Sequence, residues 1–340
     1  MEKVKVAVIG CGYFGSMHAT VYSQMEEAQL IGVADISEEA AKSLASQLGT
    51  TWFTDINQLL EQDIDVVDIC IPDHLHEEIV LKAIAKKKHI FIEKPLADTL
   101  DSAKNILNAC KGYDKKVMVG HICRFDVRYE KAYSAIQNGE LGEIIYITSK
   151  RNSPVIGGRR YAEHCKLITH SGVHDLDLVR WFLGCEYKKV YAVGRSLRLA
   201  SEGYADAFDS IQAIYTLENG VTYTLENTWA LPDKFPSYID AGMQIVGTKA
   251  ALFIDFANQG YNIATNYDYS CQDVSYWTQS LDKLTGDLKL ELKHFIDCVR
   301  FNKDPRVSVE DGYKVAFAAI QALKSIETGT VVDFYSVFIL

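Results

Sequence analysis

Up to about residue 121, short apolar runs rich in β-branched residues alternate with segments of helical periodicity. This alternation is typical of βαβ units, in which helices cover both faces of a parallel sheet. The runs are apolar almost throughout, as strands buried on both faces must be. They predict strands at residues 4–9, 30–34, 66–71, 89–92 and 117–120, and helices at residues 14–24, 38–48, 76–86 and 100–110.

After about residue 122 the pattern changes to one helix, at residues 129–138, followed by strand-like segments in direct succession. Such succession favours an antiparallel or mixed sheet, and residues 218–220 and 247–249 have the composition of hairpin turns. The strands are predicted at residues 144–150, 190–195, 209–217, 221–229, 243–247 and 250–254, with helices at residues 288–301 and 311–327. A length of 340 residues is about twice that of an ordinary domain, so we predict an α/β fold of two domains, residues 1–121 and 122–340.

Gly10, Gly12 and Gly15 form a GxGxxG pattern between the first predicted strand and the first helix. In a dinucleotide-binding turn, the first glycine permits the tight turn, the second lets the backbone approach the pyrophosphate, and the third lets helix pack on strand. The triplet alone is also compatible with an ordinary glycine turn. Asp35, at the end of the second strand, favours the nucleotide interpretation, because an acid there can bind both ribose hydroxyls and would repel a 2′-phosphate. The pattern predicts a Rossmann domain that prefers NAD to NADP.

Glu93, Lys94 and Pro95 directly follow the strand predicted at residues 89–92. Ligands bind outside the carboxyl ends of the strands in an open parallel sheet, so we expect Lys94 to face the nicotinamide region. Pro95 stiffens the turn and fixes the direction in which Lys94 leaves the strand. Taken alone, the tripeptide would be better interpreted as a solvated lysine at a strand end.

Four segments resemble the Gfo/Idh/MocA family of oxidoreductases. They are VAVIGCGYFG at residues 6–15, CIPDHLHEEIVLKAI at 70–84, HIFIEKPLA at 89–97 and GVHDLDLVRWFLG at 172–184. The resemblance implies an N-terminal Rossmann domain and a C-terminal α/β domain with a large, open, mostly antiparallel sheet. It also implies catalytic roles for Lys94 and His174, and assembly as a homo-dimer or homo-tetramer.

The resemblance places Asp73 and His76 near the nicotinamide ribose, although His76 could instead cap the helix that begins there. Together with the glycine turn, it leads to a predicted set of cofactor contacts. The set is Gly10, Gly12, Tyr13, Phe14, Gly15, Asp35, Pro72, Asp73, His76, Glu93 and Lys94.

The predicted chemistry is the oxidation of a secondary alcohol. A base must take the hydroxyl proton while hydride leaves the same carbon, and histidine titrates near working pH. We assign His174 as that base. Lys94 is expected to orient or share the proton, or to stabilise the developing alkoxide.

His170 is a departure from the family, whose dehydrogenases commonly carry Asp four residues before the catalytic His. On a helix His170 and His174 share a face, and this spacing also suits two metal ligands. The HxxxH pattern lacks the glutamate of HExxH, and the family generally works without metal, so we predict no metal. The replacement puts the inositol-dehydrogenase type of substrate contact in doubt.

Other substrate contacts are expected near the end of the strand predicted at residues 117–120 and in the second domain. Arg124 matches a frequently polar or basic family position close to the site, and Asp175 could orient His174 or line the pocket. Residues 151–166, with Arg159, Arg160 and Tyr161, are read as a basic, aromatic loop that could bind a sugar, carboxylate or phosphate, or could simply be a solvated surface loop. The predicted substrate-binding residues are Arg124, Tyr161, His170 and Asp175.

Composition limits the partners. A net charge of −10 disfavours nucleic acid and anionic membranes, which need a basic face. The eight cysteines are widely and irregularly spaced, which favours reduced thiols. The sequence has neither a signal-peptide pattern nor an apolar run of about 18 residues, so we expect a cytoplasmic protein.

Three functions are compatible with these features. The leading one is an NAD-dependent dehydrogenase acting on a sugar, inositol or related polyol. The second is an NAD-dependent glycoside hydrolase that uses transient oxidation and elimination. The third is a non-catalytic NAD-responsive regulator, which the presence of both Lys94 and His174 disfavours, because binding alone requires neither.

Overall fold

The computed structural model describes residues 2–335. These residues divide into two compact units: unit 1 comprises residues 2–125 and 275–316, and unit 2 comprises residues 126–274 and 317–335. The predicted boundary after residue 121 lies close to the first division. The prediction that every later residue belongs to the second domain is wrong for residues 275–316, which return to unit 1.

Unit 1 begins with the predicted alternation of strands and helices. Its elements are β1 (Val4–Ile9), α1 (Tyr13–Gln24), β2 (Ala28–Ala34), α2 (Glu38–Leu48), β3 (Thr51–Phe53), α3 (Ile56–Leu60), β4 (Val66–Ile69), α4 (His76–Ala85), β5 (His89–Glu93), α5 (Leu100–Cys110) and β6 (Val117–Gly120). The strands pair in parallel in the order β3-β2-β1-β4-β5-β6. The strand order reverses between β1 and β4, and ligands bind outside the carboxyl ends at such a switch point.

Local sequence sets the ends of α2. The Ser37 hydroxyl accepts a hydrogen bond from the Ala40 N–H at 3.3 Å, and Glu38 and Glu39 lie in the first turn, where the helix dipole favours acids. Gly49 ends the helix in the left-handed conformation, with φ of 66°, which glycine adopts without a steric penalty.

Unit 2 holds the second sheet. Its elements in chain order are α6 (Val127–Gln137), β7 (Ile144–Pro154), α7 (Val155–Tyr161), α8 (Val173–Leu183), β8 (Tyr187–Arg195), α9 (Arg198–Ser201), β9 (Ser210–Leu217), β10 (Thr222–Leu231), β11 (Asp240–Gly247), β12 (Ala251–Asp255), β13 (Asn262–Ala264) and β14 (Tyr269–Cys271). The chain then adds β15 (Gln279–Ser280), β16 (Lys283–Leu284) and α10 (Asp287–Phe301) to unit 1, and continues through α11 (Val309–Thr328) to β17 (Val332–Asp333) in unit 2.

The large sheet of unit 2 has the order β12-β11-β7-β10-β9-β8-β17. Its strands are antiparallel to their neighbours except that β10 runs parallel to β7. The prediction of a mostly antiparallel sheet is therefore confirmed. Both predicted hairpins are present, joining β9 to β10 and β11 to β12.

The structure differs from the sequence expectations in detail. Several short elements were not predicted: β3 and α3 early in the chain, and α7, α9, β13, β14, β15, β16 and β17 later. Residues 151–166 are not one loop, because β7 extends to Pro154 and α7 follows at once. Trp277 lies in unit 1, with its ring 5.6 Å from that of Phe14. Trp229 is a buried residue of unit 2.

The returning segment completes the core of unit 1. The Phe295 ring, on α10, lies 5.7 Å from the Phe91 ring on β5, and both side chains are fully buried. This apolar contact explains why α10 belongs with the parallel sheet although it follows unit 2 in sequence. None of the helices within residues 2–335 combines the length and apolar composition that crossing a bilayer requires.

Candidate active site

The glycine turn between β1 and α1 lets the pyrophosphate of a dinucleotide approach the peptide backbone. A Cβ on Gly10 would lie 2.2 Å from the Cys70 carbonyl oxygen, and one on Gly15 would lie 1.9 Å from the Gly10 carbonyl oxygen. Gly10 also has a φ of +100°, which only glycine adopts readily. Gly12 faces open space within 4 Å, so its backbone is accessible to a phosphate at the start of α1. The two packed glycines and the one open glycine fit the pyrophosphate of a dinucleotide.

Asp35 is bonded to the same turn. One carboxylate oxygen accepts a hydrogen bond from the Cys11 N–H at 2.7 Å, and the other accepts one from the Ser37 N–H at 2.8 Å. Asp35 therefore fixes the glycine turn relative to the start of α2 while it lies at the carboxyl end of β2. Ile36, the next residue, is 93% exposed and brings no charge. Accepting the Cys11 and Ser37 N–H groups is compatible with the predicted contact between Asp35 and the ribose.

Asp73 and His76 follow β4 at the switch point. Asp73 is buried, which raises the pKa of its carboxyl. The His76 ring lies between two carbonyl oxygens, those of Ile71 at 2.9 Å and Leu96 at 3.2 Å. Burial lowers the pKa of His76, so the ring is neutral and donates to one of them. His76 thereby ties the loop after β4, which contains Pro72, to the turn after β5.

Lys94 directly follows β5 and is half-buried. Its N–H donates to the Glu93 carboxylate at 3.2 Å. Pro95 and Leu96, which come next, are buried and anchor the turn. Lys94 thus leaves the sheet at the same carboxyl edge as the glycine turn and Asp35.

Tyr13 and Phe14 form the first turn of α1. Tyr13 is 49% exposed, and its ring meets that of Phe14 edge to face at 5.6 Å. Phe14 in turn contacts Trp277. An aromatic cluster of unit 1 therefore borders the glycine turn.

Arg124 follows β6 and is buried within unit 1. Its guanidinium donates to the Arg306 carbonyl at 3.0 Å and lies 3.5 Å from the Asp311 carboxylate. The Arg306 guanidinium donates back to the Arg124 carbonyl at 2.9 Å. These contacts give Arg124 a structural role, and none of them supports the predicted substrate contact.

His174 lies in the first turn of α8, in unit 2, and is half-buried. The turn before α8, Ile168–Gly172, is a π-helix, a wide turn that often occurs at functional sites. Gly172 lies where a Cβ would come within 2.5 Å of the Asn227 side-chain oxygen on β10. The start of α8 is thus packed closely onto the sheet.

Asp175 is fully buried beside His174. Its carboxylate receives two hydrogen bonds from the Arg151 guanidinium on β7, at 2.7 and 3.1 Å, and Arg151 also donates to the Tyr129 hydroxyl at 3.2 Å. Burial raises the pKa of Asp175, and the charge of Arg151 opposes that shift. A direct contact between substrate and Asp175 would require this ion pair to open. The geometry favours the alternative role of fixing the helix turn that carries His174.

His170 is enclosed by three side chains of unit 2. The Tyr161 ring stacks on it at 4.2 Å, the Cys165 sulfur lies 3.7 Å from its Nδ1, and the Trp229 ring centre is 5.8 Å away. Tyr161 and His170, both predicted to bind substrate, are therefore neighbours.

Arg159, in the segment predicted to be a basic loop, is already paired with acids. It donates to Glu202 at 2.7 and 2.8 Å and to Asp233 at 3.1 Å. Its positive charge is balanced by these side chains, which argues for the surface interpretation of this arginine.

Two buried polar groups were not among the predicted site residues. Arg151, which the sequence placed in a loop, lies on β7. His18 is fully buried on α1 and lies against the carboxylates of Asp68 and Glu93. The available signal was Asp68 itself, an acid within the apolar strand VVDI, because a buried charge needs a partner. Among residues 2–335, His18, Asp68 and Cys70 are also the group of potential metal ligands whose atoms lie within 4.8 Å of one another.

Two family models match the chain. The first, described as an oxidoreductase family with an NAD-binding Rossmann fold, matches residues 4–121. The second, described as a GFO/IDH/MocA C-terminal domain, matches residues 129–253. Lys94 lies within the first range and His174 within the second.

Several curated proteins are similar over most of their length. The myo-inositol 2-dehydrogenase of Thermotoga maritima is 26% identical, with 95% of this chain and 96% of the relative covered. The scyllo-inositol 2-dehydrogenase (NAD(+)) of Bacillus subtilis is 29% identical, with 96% and 95% covered. The 2,7-anhydro-N-acetylneuraminate hydratase of Mediterraneibacter gnavus is 27% identical, with 76% and 69% covered.

Solved structures share the fold. The scyllo-inositol dehydrogenase from Lactobacillus casei, determined with bound NAD(H) and scyllo-inositol, superposes with a TM-score of 0.86. It is 22% identical, and the match covers 98% of this chain and 99% of that one.

Proposed function

Because the chain belongs to the Gfo/Idh/MocA family of oxidoreductases, we propose that it transfers a hydride between NAD and a secondary alcohol or ketone carbon of a sugar, inositol or related polyol. The observation that carries the proposal lies in unit 1. A glycine turn that fits a pyrophosphate, an acid at the end of β2 and a lysine at the end of β5 share one edge of the parallel sheet. Similarity to inositol dehydrogenases supports the class of substrate.

In this proposal His174 removes the hydroxyl proton of the substrate and Lys94 orients or shares that proton. Bound NAD supplies the hydride acceptor. Asp175 and Arg151 hold the first turn of α8, so the orientation of His174 is set before substrate binds. Preorganised groups of this kind lower the barrier because they do not reorganise during the reaction.

A reaction without net NADH production is the second candidate, and the hydratase among the relatives favours it. A hydratase or a glycosidase that oxidises its substrate transiently would need the same base and the same lysine. The replacement of the usual family Asp by His170 leaves the substrate class open to such sugars.

The proposal also includes assembly and location. The face of the large sheet carries exposed apolar side chains, among them Tyr191, Ile214 and Phe253. Such a face suits a homo-oligomer, a dimer or tetramer, formed by the second unit. We propose that the protein works in the cytoplasm.

The function is tested with a panel of inositols, sugars, sugar acids and 2,7-anhydro-N-acetylneuraminate, incubated with NAD or NADP. Formation of NADH, followed by its absorbance, is expected with at least one polyol and with NAD rather than NADP. Consumption of a substrate without NADH, followed by mass spectrometry, would assign the second candidate. Inactivity on every compound, despite NADH binding, would contradict both.

Asp35→Asn is expected to reduce the preference for NAD. The carboxylate repels a 2′-phosphate by about 1 to 4 kcal/mol, depending on solvent exposure, so the ratio of kcat/KM for NAD to that for NADP should fall by about 5- to 700-fold. Asp35→Asn with Ile36→Arg should lower the ratio further, since arginine can bind the 2′-phosphate. The measurement is steady-state kinetics with both cofactors. An equal loss with both cofactors would instead mean that Asp35 only holds the Cys11 and Ser37 N–H groups.

A further inference from the structure

His18 connects the nucleotide-binding helix to the strand that carries Lys94. It lies on α1 and is fully buried. Its Nδ1 lies 2.9 Å from an oxygen of Asp68 on β4, and its Nε2 lies 3.3 Å from an oxygen of Glu93 on β5. The two ring nitrogens therefore face carboxylates on adjacent strands.

The surroundings of His18 favour an imidazolium. Burial alone would lower the pKa of His18, but the Cys70 sulfur and the Asp68 carboxylate outweigh it, and the net pKa is well above the usual range. A protonated ring donates from Nδ1 to Asp68 and places its positive charge 3.3 Å from the Glu93 carboxylate at Nε2, where the contact is an ion pair rather than a hydrogen bond.

Other titratable groups face the same cluster. Burial and the charge of Glu93 raise the pKa of Glu291, on α10, well above its usual range. Burial raises the pKa of Cys70 and of Tyr22 as well, and the charge of Asp68 adds to both shifts. Glu291 and Tyr22 are therefore neutral, and the His18 ring lies against the carboxylates of Asp68 and Glu93.

The Glu93 carboxylate has two close neighbours besides His18. One of its oxygens accepts the Lys94 N–H at 3.2 Å. Its second oxygen lies so close to β6 that a Cβ on Gly120 would approach it to 2.8 Å. The carboxylate is thus held between His18, the Lys94 backbone and β6.

We propose that His18 is a positioning residue for Lys94: it fixes the Glu93 carboxylate, which in turn fixes the backbone from which the lysine side chain leaves β5. This inference rests on the proposed function of Lys94. A metal at the His18, Asp68 and Cys70 group is a weaker interpretation, because both ring nitrogens and the thiol already face carboxylate oxygens.

The matched variants are His18→Asn and His18→Gln. The amide nitrogen of asparagine occupies the place of Nδ1 and keeps the Asp68 contact, whereas that of glutamine occupies the place of Nε2 and keeps the Glu93 contact. We expect His18→Asn to lower kcat by about 10- to 100-fold, because small displacements of a catalytic group have effects of this size. The KM for NAD and the KM for the polyol should change little. His18→Gln should retain most of the activity. Val21→Ala, a buried apolar change on the same helix, serves as the control and should keep wild-type kcat.

Two further measurements separate positioning from general damage. In the Lys94→Ala background, His18→Asn should have no additional effect on kcat. The rate of reductive methylation of Lys94, measured by peptide mass spectrometry relative to the exposed Lys104, should change in His18→Asn and not in His18→Gln.

Equal kcat values and equal Lys94 labelling in wild type, His18→Asn and His18→Gln would overturn the inference, as would a full loss from His18→Asn in the Lys94→Ala background. Failure of the proposed function looks different. If the wild-type protein oxidises no polyol, the labelling of Lys94 still decides whether His18 positions it.

Discussion

Lys94→Ala is expected to lower kcat for polyol oxidation by about 10²- to 10⁴-fold, the range typical of losing a positioned proton-transfer group. Lys94 ends β5 at the edge where the glycine turn and Asp35 lie, and it makes no part of that turn. Lys94 is one of several predicted cofactor contacts, so removing its side chain should weaken NADH binding far less than it lowers kcat. The measurements are steady-state kinetics and a fluorescence titration with NADH.

Lys104→Ala is the matched control, because Lys104 is an exposed lysine on α5 of the same unit. It should behave as the wild type. A small primary amine added to the Lys94→Ala variant should restore part of kcat, since it can occupy the space left by the side chain. An equally active Lys94→Ala variant would end the catalytic assignment. Loss of NADH binding together with activity would assign Lys94 to the cofactor instead.

Much of unit 1 is predictable because local patterns determine it. The limits of β1, α2, α5 and β6 agree with the predicted ones, since each has an apolar run or a cap at its ends. The element β3 escaped prediction because three residues, two of them exposed, give no period to recognise. Its place in the sheet comes from pairing with β2, which is a tertiary property.

The return of residues 275–316 to unit 1 could not be predicted from sequence order. The helix α10 has an apolar stripe that could pack on either sheet, and the contact of Phe295 with Phe91 decides between them. A single chain gives no local signal for such a long-range choice.

Some site residues could also be predicted from local sequence, whereas others depend on contacts between distant parts of the chain. The glycine turn and Asp35 were predictable because backbone geometry requires those residue types at that spacing. The partners of Asp175 and His18 were not, because a buried charge shows that a counter-ion exists without saying which residue supplies it. Arg124 illustrates the converse case, since its guanidinium contacts Arg306 and Asp311, which lie 182 and 187 positions later in the chain, and no motif indicates these contacts.

Arg151→Met is expected to be the most destabilising substitution in unit 2. It would leave the Asp175 carboxylate, which is fully buried, without its cation, and breaking a buried ion pair on one side costs about 3–5 kcal/mol. For a unit of this size that corresponds to a fall in the unfolding midpoint of about 6–20 °C. Differential scanning calorimetry measures the midpoint directly, which matters because a chain of two units need not unfold in a single step.

The neighbouring strand residue provides the control. Lys150 also pairs with an acid, Asp240, at 2.6 Å, but its side chain is 45% exposed. Such a pair contributes about 0–1 kcal/mol, so Lys150→Met should change the midpoint little. Similar shifts of the unfolding midpoint in the two variants would show that the buried Arg151 ion pair stabilises the protein no more than the exposed Lys150 pair does.

The loss of stability in Arg151→Met should depend on pH. Without the guanidinium, burial raises the pKa of Asp175 further, and a carboxyl whose pKa is higher in the folded state destabilises the fold as pH rises through that value. The difference in unfolding midpoint between wild type and Arg151→Met should therefore grow between mildly acidic and neutral pH.

The double variant Arg151→Met with Asp175→Leu removes both charges and should recover much of the unfolding midpoint, because a buried pair replaced by apolar residues is often neutral in stability. If the double variant is as unstable as Arg151→Met, packing of the arginine stem rather than the unpaired carboxylate causes the loss.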